Sequence, residues 1–367
     1  MVLKHTDREL LRFEWTADNV KVVSVNETAR RWLPPEFADG VTDVALLRWL
    51  RGRAIPANRQ YVQNFLAKVG LNERDLRGII TICRGLSLND VYWVADDNSA
   101  ASFGKVNLYR NKFSPALAAM AFTGAGSFST PKLVSSPEFT TNGMLAKCWR
   151  RIGDEVLLFK SGTEGAANTG NEPYSEFYAA QIAEAMGLEH VEYGLSRFKG
   201  RLCSTCRLFT SEGTGFVAAS RLMTAEQAVA DERFTDMFLF DAVIYNEDRH
   251  LGNFGFLVRN KTNEIGAVAP LFDHGNALFP RALFGNKWQD DFGDLPKYAA
   301  TRRPALYGDW LAPLRGKMTP RRKKMLERAA AIEFKRHGAY NLPARRLAAL
   351  RRFVRDRAAA LIEMTRD

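Results

Sequence analysis

The first third of the chain has hydrophobic residues at helical spacing. Two stretches, residues 42–50 and 58–69, each predict an amphipathic helix, and Gly70 follows the second as a helix-ending glycine. A recurring set of arginines in this region is predicted to lie on the surface: Arg48, Arg51, Arg53 and Arg59. We therefore expect residues 1–125 to form a small, mostly helical module.

The middle of the chain alternates short apolar runs with one helical pattern. Small and polar residues over 113–137 predict a loop and place a boundary near residue 125. The patterns that follow predict two strands, a helix that ends at Gly187, and two more strands. Their predicted bounds are 143–149, 155–160, 174–186, 189–195 and 201–210.

The last third reads as helical except for one hairpin. A helical pattern over 234–244 precedes two short strands, 254–258 and 265–272, joined by a polar turn. Thr319 and Pro320 predict the start of a helix that ends at Gly338, and a final amphipathic helix is expected from about residue 344.

Composition is ordinary for a soluble globular protein of 367 residues, with 46% hydrophobic and 25% charged residues. The longest apolar run, 237–245, is interrupted by Asp241 and is too short to span a bilayer, and the N-terminus lacks a signal-peptide core. We expect no membrane span and a cytoplasmic location, although secretion without a cleavable signal would leave the same pattern. The four cysteines are too few for a disulfide framework, and Cys203 and Cys206 lack the further ligands that zinc needs.

The positive charge is concentrated near the C-terminus. Residues 315–357 carry fifteen Lys or Arg against three Asp or Glu, a net charge of +12, whereas the whole chain carries +11. Weak contact with nucleic acid or an acidic partner is one interpretation. Solvated outer faces of helices are the favoured one, because no aromatic residues are interleaved for base stacking.

Three polar residues stand where predicted elements end. Asp248 and Asn253 follow the 234–244 helix at an interval of five, and Asp273 follows the hairpin twenty residues after Asn253. Phosphoryl transfer from ATP needs a carboxylate for the acceptor hydroxyl, and an amide and a second carboxylate for Mg²⁺. We expect Asp248 in the first role, and Asn253 and Asp273 in the second. The alternative is an Asp and an Asn that cap surface turns.

Two of the five histidines, His250 and His274, fall inside these motifs. They are expected either to contact phosphate or to fix the loops by hydrogen bonds to backbone carbonyls. A histidine-aspartate hydrolase would need a nucleophile elbow such as G-x-S-x-G, which the chain lacks. The absence of G-x-G-x-x-G and of a Walker A motif argues against a standard eukaryotic-type kinase and a P-loop enzyme.

Residues in the middle of the chain, between 136 and 176, are expected to contact the phosphates of a nucleotide. Lys160 ends an apolar strand ahead of the helix that carries Glu176, an arrangement suited to an ion pair beside nucleotide phosphates, and Lys147 is its rival. The likeness of residues 136–143 to a phosphate-binding turn makes Thr141 and Gly143 candidates. An ordinary hairpin approach is the equal alternative.

The loop Asn246, Asp248, His250, Asn253 and Phe254 resembles the catalytic loop N-x-D-x-H-x-x-N-F of HipA-like bacterial serine/threonine kinases. The resemblance covers about residues 130–340. It implies that Asp248 is the catalytic base with His250 and Asn253 beside it, that Asn253 and Asp273 bind Mg²⁺, and that Lys160 grips phosphates. It also implies that backbone groups of Arg207 and Phe209 bind adenine, and that Ser135 or Ser136 is autophosphorylated.

The predicted fold is therefore α+β, a bilobal protein-kinase-like fold with an extra N-terminal module. Its expected regions are the module (1–125), a β-rich N-lobe (126–220) and a helical C-lobe (221–367). We expect a kinase that uses ATP and Mg²⁺ to phosphorylate a protein serine or threonine, with a regulatory partner through residues 1–125. A nucleotide-binding pseudokinase or interaction protein, and a small-molecule or lipid kinase, are the alternatives. A toxin role does not follow, because the N-terminal third looks unlike that of HipA toxins.

Overall fold

The computed structural model describes residues 1–17, 19–125, 135–165, 170–285 and 289–364. Strands in these ranges are β1 (Val2–His5), β2 (Arg8–Trp15), β3 (Val20–Val25), β4 (Tyr92–Ala95), β5 (Lys147–Ile152), β6 (Glu155–Ser161), β7 (Tyr193–Phe198), β8 (Arg201–Arg207), β9 (Thr214–Ala218), β10 (Gly255–Arg259) and β11 (Glu264–Val268). Helices are α1 (Asp43–Arg51), α2 (Val62–Lys68), α3 (Leu76–Cys83), α4 (Phe103–Val106), α5 (Pro115–Thr123), α6 (Glu172–Met186), α7 (Ala225–Ala230), α8 (Thr235–Ile244), α9 (Leu295–Ala300), α10 (Pro320–Ala330) and α11 (Ala344–Glu363). The predicted α+β class is confirmed.

The chain folds into two compact units. The first unit contains residues 1–160, 208–217 and 256–267, and the second contains 161–207, 218–255 and 268–367. The three regions expected from the sequence do not coincide with these units and remain a prediction. Part of the expected boundary loop, residues 126–134, lies outside the described residues.

The first unit opens with an antiparallel sheet that the sequence analysis did not predict. Its strand order is β3-β2-β1-β4, so β1 lies between β2 and a strand about ninety residues later. Strand β4 is buried on both faces: Tyr92 and Val94 belong to one hydrophobic core, and Trp93 and Ala95 to another. Trp149 and Val156 of β5 and β6 pack on the second core. The N-terminal module therefore contains a sheet besides its helices, and shares a core with the β5–β6 hairpin.

The predicted helices of the module are present with changed bounds. Helix α1 begins after Thr42, whose side chain accepts a hydrogen bond from the Ala45 N–H as an N-cap. Helix α2 begins later than expected, because the Gln60 N–H is donated to the Met144 carbonyl and Tyr61 has a φ of 64°.

The prediction of surface arginines is wrong for two of the four. Arg53 and Arg59 are 8% and 3% exposed. Arg53 forms a bidentate pair with Asp90, whereas Arg59 donates to backbone carbonyls, including that of Thr141 at 3.1 Å. Partners distant in sequence hold both guanidinium groups inside, and no local pattern reports such partners.

Two further β structures belong mainly to the first unit. Strands β5 and β6 form a hairpin, and β11-β10-β9 form a three-stranded sheet. Strand β5 begins at Lys147 rather than at residue 143, because Gly143 has a φ of +95° that extended backbone does not allow.

The second unit is built around α8, which is buried on all sides over Met237–Ile244. Helix α6 ends at Gly187, as predicted, and the β7–β8 hairpin and α10 pack on it. Helix α10 ends at Ala330, eight residues before the predicted end at Gly338. The Gln181 side chain accepts from the Lys335 N–H and donates to the Lys335 carbonyl, which replaces helical hydrogen bonds there. None of the helices in the described ranges has the length and apolar character to cross a membrane.

Candidate active site

The loop after α8 begins at a left-handed residue. Tyr245, with a φ of 52°, ends the helix, and Asn246 is fully buried behind it. The Asn246 amide donates to the Asp241 carboxylate at 3.1 Å, and its oxygen accepts from the Asp248 N–H at 3.3 Å. The first residue of the motif therefore ties the loop to the last turns of α8.

A buried ion pair fixes the same loop. Arg249 and Asp241 are both fully buried, and the guanidinium donates to the two carboxylate oxygens at 2.8 and 2.9 Å. Burial lowers the pKa of Arg249, but the Asp241 charge and hydrogen bonds outweigh this and leave the pKa raised. Such a pair is costly to break from one side, because the remaining charge is left in the interior.

Arg249 also joins the two loops that carry the candidate residues. Its Nη1 donates to the carbonyl of Asn253 at 3.1 Å and to that of Phe272, next to Asp273, at 3.0 Å. Its Nη2 lies 3.3 Å from Nδ1 of His274. Sequence reasoning missed Arg249, although it stands between Asp248 and His250, and although Asp241 interrupts an otherwise apolar helix. An acid buried in such a helix predicts a basic partner.

Asn253 closes the catalytic loop on itself. Its Nδ2 donates to the Asp248 carbonyl at 2.7 Å, and its Oδ1 accepts from the His250 N–H at 3.2 Å. An amide oxygen has two lone pairs, so Oδ1 retains one acceptor site for a cation. The His250 ring is exposed and its Nδ1 accepts from the Gly252 N–H at 3.0 Å. The His250 ring therefore contributes a hydrogen bond within the loop itself.

The Asp248 carboxylate is oriented by a second residue that the sequence analysis missed. Asn276 donates from Nδ2 to Oδ2 of Asp248 at 2.9 Å, and its own oxygen accepts from Arg281 at 3.3 Å. Asn276 lies three residues after Asp273, so the loop that follows the hairpin also orients the Asp248 carboxylate. Asp248 is only partly buried, which leaves it open to an acceptor.

Asp273 has a φ of 58°, and its N–H donates to the hydroxyl of Tyr193 in β7 at 3.0 Å. Burial, and after it the charge of Glu176, raises the pKa of Tyr193 well above its ordinary value, so the hydroxyl stays protonated. Glu176 of α6 is itself buried and accepts a hydrogen bond from the Ser204 hydroxyl. His274 is fully buried and packs edge-on to Phe240, with ring centroids 5.2 Å apart.

The two rival lysines are direct neighbours in the first unit. Lys147 and Lys160 are paired across β5 and β6, so their side chains lie on one face, and they are 5% and 8% exposed. A Cβ added to Gly143 would clash with Nζ of Lys147. Lys147, Lys160 and Gly143 thus lie together, whereas the expected pairing of Lys160 with Glu176 stays a prediction.

The hydroxyls near Gly143 are engaged inside the fold. Thr141 donates to the Pro137 carbonyl at 2.6 Å and accepts from the Trp149 indole at 3.0 Å. Ser136 is fully buried and donates to Glu138, and Ser135 donates to the Cys83 carbonyl at 3.2 Å. Neither serine proposed for autophosphorylation presents a free hydroxyl in this conformation.

The residues expected to contact adenine lie where the chain passes from one unit to the other. Arg207 ends β8 in the second unit, and Leu208 and Phe209 belong to the first. The Leu208 N–H donates to the Val156 carbonyl at 2.9 Å, and the Phe209 ring packs edge-on to Phe216. The Arg207 side chain is exposed, and the contact of its backbone with adenine stays a prediction.

The donor set fits magnesium better than zinc. Within the ranges that the structure describes, no group of three His, Cys, Asp or Glu side chains could hold a metal, and no cysteine forms a disulfide. Mg²⁺ needs only one or two protein oxygens, because water and phosphate oxygens complete its shell. Asn253 and Asp273 supply such oxygens, whereas zinc needs a closed tetrahedral set.

Comparison with known proteins supports the family that the catalytic loop predicted. No family model matches the chain. The serine/threonine-protein kinase CtkA of Helicobacter pylori is 29% identical over 149 residues, which are 34% of this chain and 46% of CtkA. The aligned part is thus less than half of that relative.

Two solved structures are similar to this chain. The Shewanella oneidensis HipA structure, a complex with HipB and operator DNA, has a TM-score of 0.57 at 10% identity and covers 98% of this chain and 96% of that one. The chain has a HipA-like fold. The crystal structure of the H. pylori proinflammatory kinase CtkA has a TM-score of 0.40 at 19% identity, over 59% of this chain and 94% of that one. Because that HipA match covers 98% of this chain, the HipA-like fold extends through the N-terminal third, beyond the expected residues 130–340.

Proposed function

We propose that the protein is a HipA-like kinase that transfers the γ-phosphoryl group of ATP, with Mg²⁺, to a serine or threonine hydroxyl of a protein. The observation that carries the proposal is the Arg249 network. One buried guanidinium holds the backbone at Asn253 and at Phe272, so that the loop of Asp248 and the loop of Asp273 are fixed together. Transfer through a loose transition state depends mainly on such positioning.

The proposed reaction balances without a covalent intermediate. The acceptor oxygen bonds to the γ-phosphorus, the bond from that phosphorus to the β,γ-bridging oxygen breaks, and ADP leaves with the electron pair. Asp248, oriented by Asn276, accepts the hydroxyl proton. The chemistry that a bound Mg²⁺ would supply is neutralisation of charge on the phosphate oxygens, with Asn253 and Asp273 as its protein ligands.

Other residues are proposed to bind the nucleotide. Lys147 and Lys160, side by side and buried, are proposed to bind the phosphates, with backbone groups at Thr141 and Gly143. Backbone groups of Arg207 and Phe209 are proposed to bind adenine, and Glu176 to pair with Lys160. A regulatory partner through residues 1–125 is part of the proposal, supported by the HipA likeness.

The nucleic-acid interpretation of residues 315–357 gains little support. Part of the positive charge is used within the second unit. Arg346 is 3% exposed and donates to the Phe279 carbonyl at 3.0 Å, Arg357 donates to that of Ala242 at 3.0 Å, and Arg322 pairs with Asp236 at 2.7 Å. Structural and solvated arginines remain the favoured account of this segment.

Incubation of the purified protein with labelled ATP and Mg²⁺ tests the proposal. We expect label on serine or threonine of the protein itself or of proteins in a cell extract, and its loss in Asp248→Ala, by a factor of about 10² to 10⁴. Lipid and small-molecule acceptors are offered in parallel, and label on those alone would reassign the substrate class. Normal ATP binding without transfer to any acceptor would favour a pseudokinase.

A further inference from the structure

The turn of the β10–β11 hairpin is held by the N-terminal module. Asn263 occupies this turn with a φ of 60°. Its Nδ2 donates to the carbonyls of Arg31 at 3.0 Å and Leu33 at 2.8 Å, and its Oδ1 accepts from the Tyr92 hydroxyl at 2.9 Å. One side chain thus makes three hydrogen bonds to two segments of the module.

Neighbouring residues hold the same turn. The Trp32 indole donates to the Lys261 carbonyl at 3.3 Å. Asn260 is 4% exposed and donates to the Glu212 carbonyl at 3.1 Å. A Cβ on Gly215 would clash with the Asn260 side chain and the Asn89 carbonyl, so the contact is close-packed. These contacts all lie within the first unit.

The hairpin is also the covalent link between the two loops of the candidate site. Strand β10 begins two residues after Asn253, and β11 ends five residues before Asp273. At its base the Ala269 N–H donates to the Gly255 carbonyl at 2.9 Å. Each strand has five residues, roughly 17 Å of extended chain, so the turn is joined to both loops by two short, paired strands.

We infer that Asn263 is a positioning residue for phosphotransfer, through which the N-terminal module sets the Mg²⁺-binding loops. The inference rests on the proposed function. It also gives the expected regulatory partner a route of action: a protein that binds over residues 31–33 would alter the hydrogen bonds to Asn263. A turn that serves stability alone is the competing account.

Asn263→Gly is the test, because glycine accepts the left-handed turn without strain and removes only the side chain. We expect kcat to fall about tenfold or more and the half-saturating Mg²⁺ concentration to rise about tenfold, as loop displacement costs transition-state alignment. Binding of ATP without Mg²⁺ should stay unchanged. Tyr92→Phe, which removes one of the three bonds, should lower kcat about threefold, and it carries the test if Asn263→Gly fails to fold.

Thr262→Ala is the matched control, because the Thr262 hydroxyl donates to exposed Glu264 close by in the same hairpin. It should match wild type. Wild-type kcat and Mg²⁺ dependence in Asn263→Gly would overturn the inference and leave the proposed function intact. If wild type transfers no phosphate, the proposed function fails, and calorimetric binding of a non-hydrolysable ATP analogue with and without Mg²⁺ decides the inference separately. An unchanged Mg²⁺ effect in Asn263→Gly would then contradict it.

Discussion

Two bidentate Arg–Asp pairs, one in each compact unit, have similar hydrogen-bond lengths but use different guanidinium nitrogens and have different further partners. In the first unit Arg53 donates to Asp90 at 2.9 and 2.6 Å, lies over Trp49, and reaches one further carbonyl, that of Gly85, at 3.4 Å. In the second unit Arg249 donates to Asp241 at 2.8 and 2.9 Å, and its remaining N–H groups go to the two loops of the candidate site. The ion pair holds a guanidinium inside the fold in both places, and the additional hydrogen bonds of Arg249 go to the loops that are proposed to serve phosphotransfer.

Arg249→Ala removes the more deeply buried of the two ion pairs and should have the largest effect on stability. It leaves Asp241 as an unpaired buried charge and frees two carbonyls, so we expect the free energy of unfolding to fall by about 3–5 kcal/mol. Urea unfolding followed by circular dichroism measures this. An unchanged midpoint would mean that the pair contributes nothing to the second unit.

Arg53→Ala should cost less, about 2–3 kcal/mol by the same measurement, because the side chains of Arg53 and Asp90 keep 10% and 17% exposure. Phosphotransfer per folded molecule should stay within about threefold of wild type. A loss as large as that of Arg249→Ala would contradict the assigned difference between the two pairs.

His5 makes the first unit sensitive to acid. Burial, partly offset by Asp90, lowers the pKa of His5 from 6.5 to about 4. Between these values the unfolded chain binds a proton that the folded chain does not. The free energy of unfolding should therefore fall as pH drops from about 6.5 to 4, by up to about 3 kcal/mol, with no change from this group above 6.5. The difference between wild type and His5→Gln, measured by urea unfolding at each pH, isolates it; parallel curves would rule it out.

Asn276→Ala should give the smallest effect. The variant leaves the Asp248 carboxylate in place and removes the amide that orients it, so we expect kcat to fall about five- to tenfold with little change in KM for ATP. Steady-state kinetics measures both. Gln289→Ala, which removes an exposed amide bonded to Asp291, is the control and should leave kcat unchanged.

The same two regions show what sequence can and cannot predict here. Asp248, Asn253 and Asp273 could be proposed from the sequence because the expected chemistry needs given residue types at given spacings, and the structure ties their loops together through Arg249. Their catalytic roles stay a prediction. The N-terminal sheet could not be predicted, because β1 pairs with β4 from far along the chain and its short strands carry charges at exposed positions. Arg53 and Asn276 were missed for a related reason: what they do depends on partners that only tertiary structure supplies.

Helix bounds show the same limit on a smaller scale. Helix α1, with its Thr42 cap, and α11 lie where the apolar pattern placed them. Helix α10 stops at Ala330, and beyond its end the Gln181 side chain takes up the backbone groups of Lys335. Local pattern predicts that an element exists, whereas partners distant in sequence hold the chain beyond it.

Single-turnover phosphotransfer by Arg249→Lys and Arg53→Lys tests the central claim most directly. Lysine keeps the positive charge opposite each aspartate but loses the planar fork that reaches several acceptors. Arg249→Lys should transfer phosphate at least about a hundredfold more slowly than wild type, and Arg53→Lys should stay within about threefold. Equal rates for both variants, or a wild-type rate for Arg249→Lys, would contradict the account.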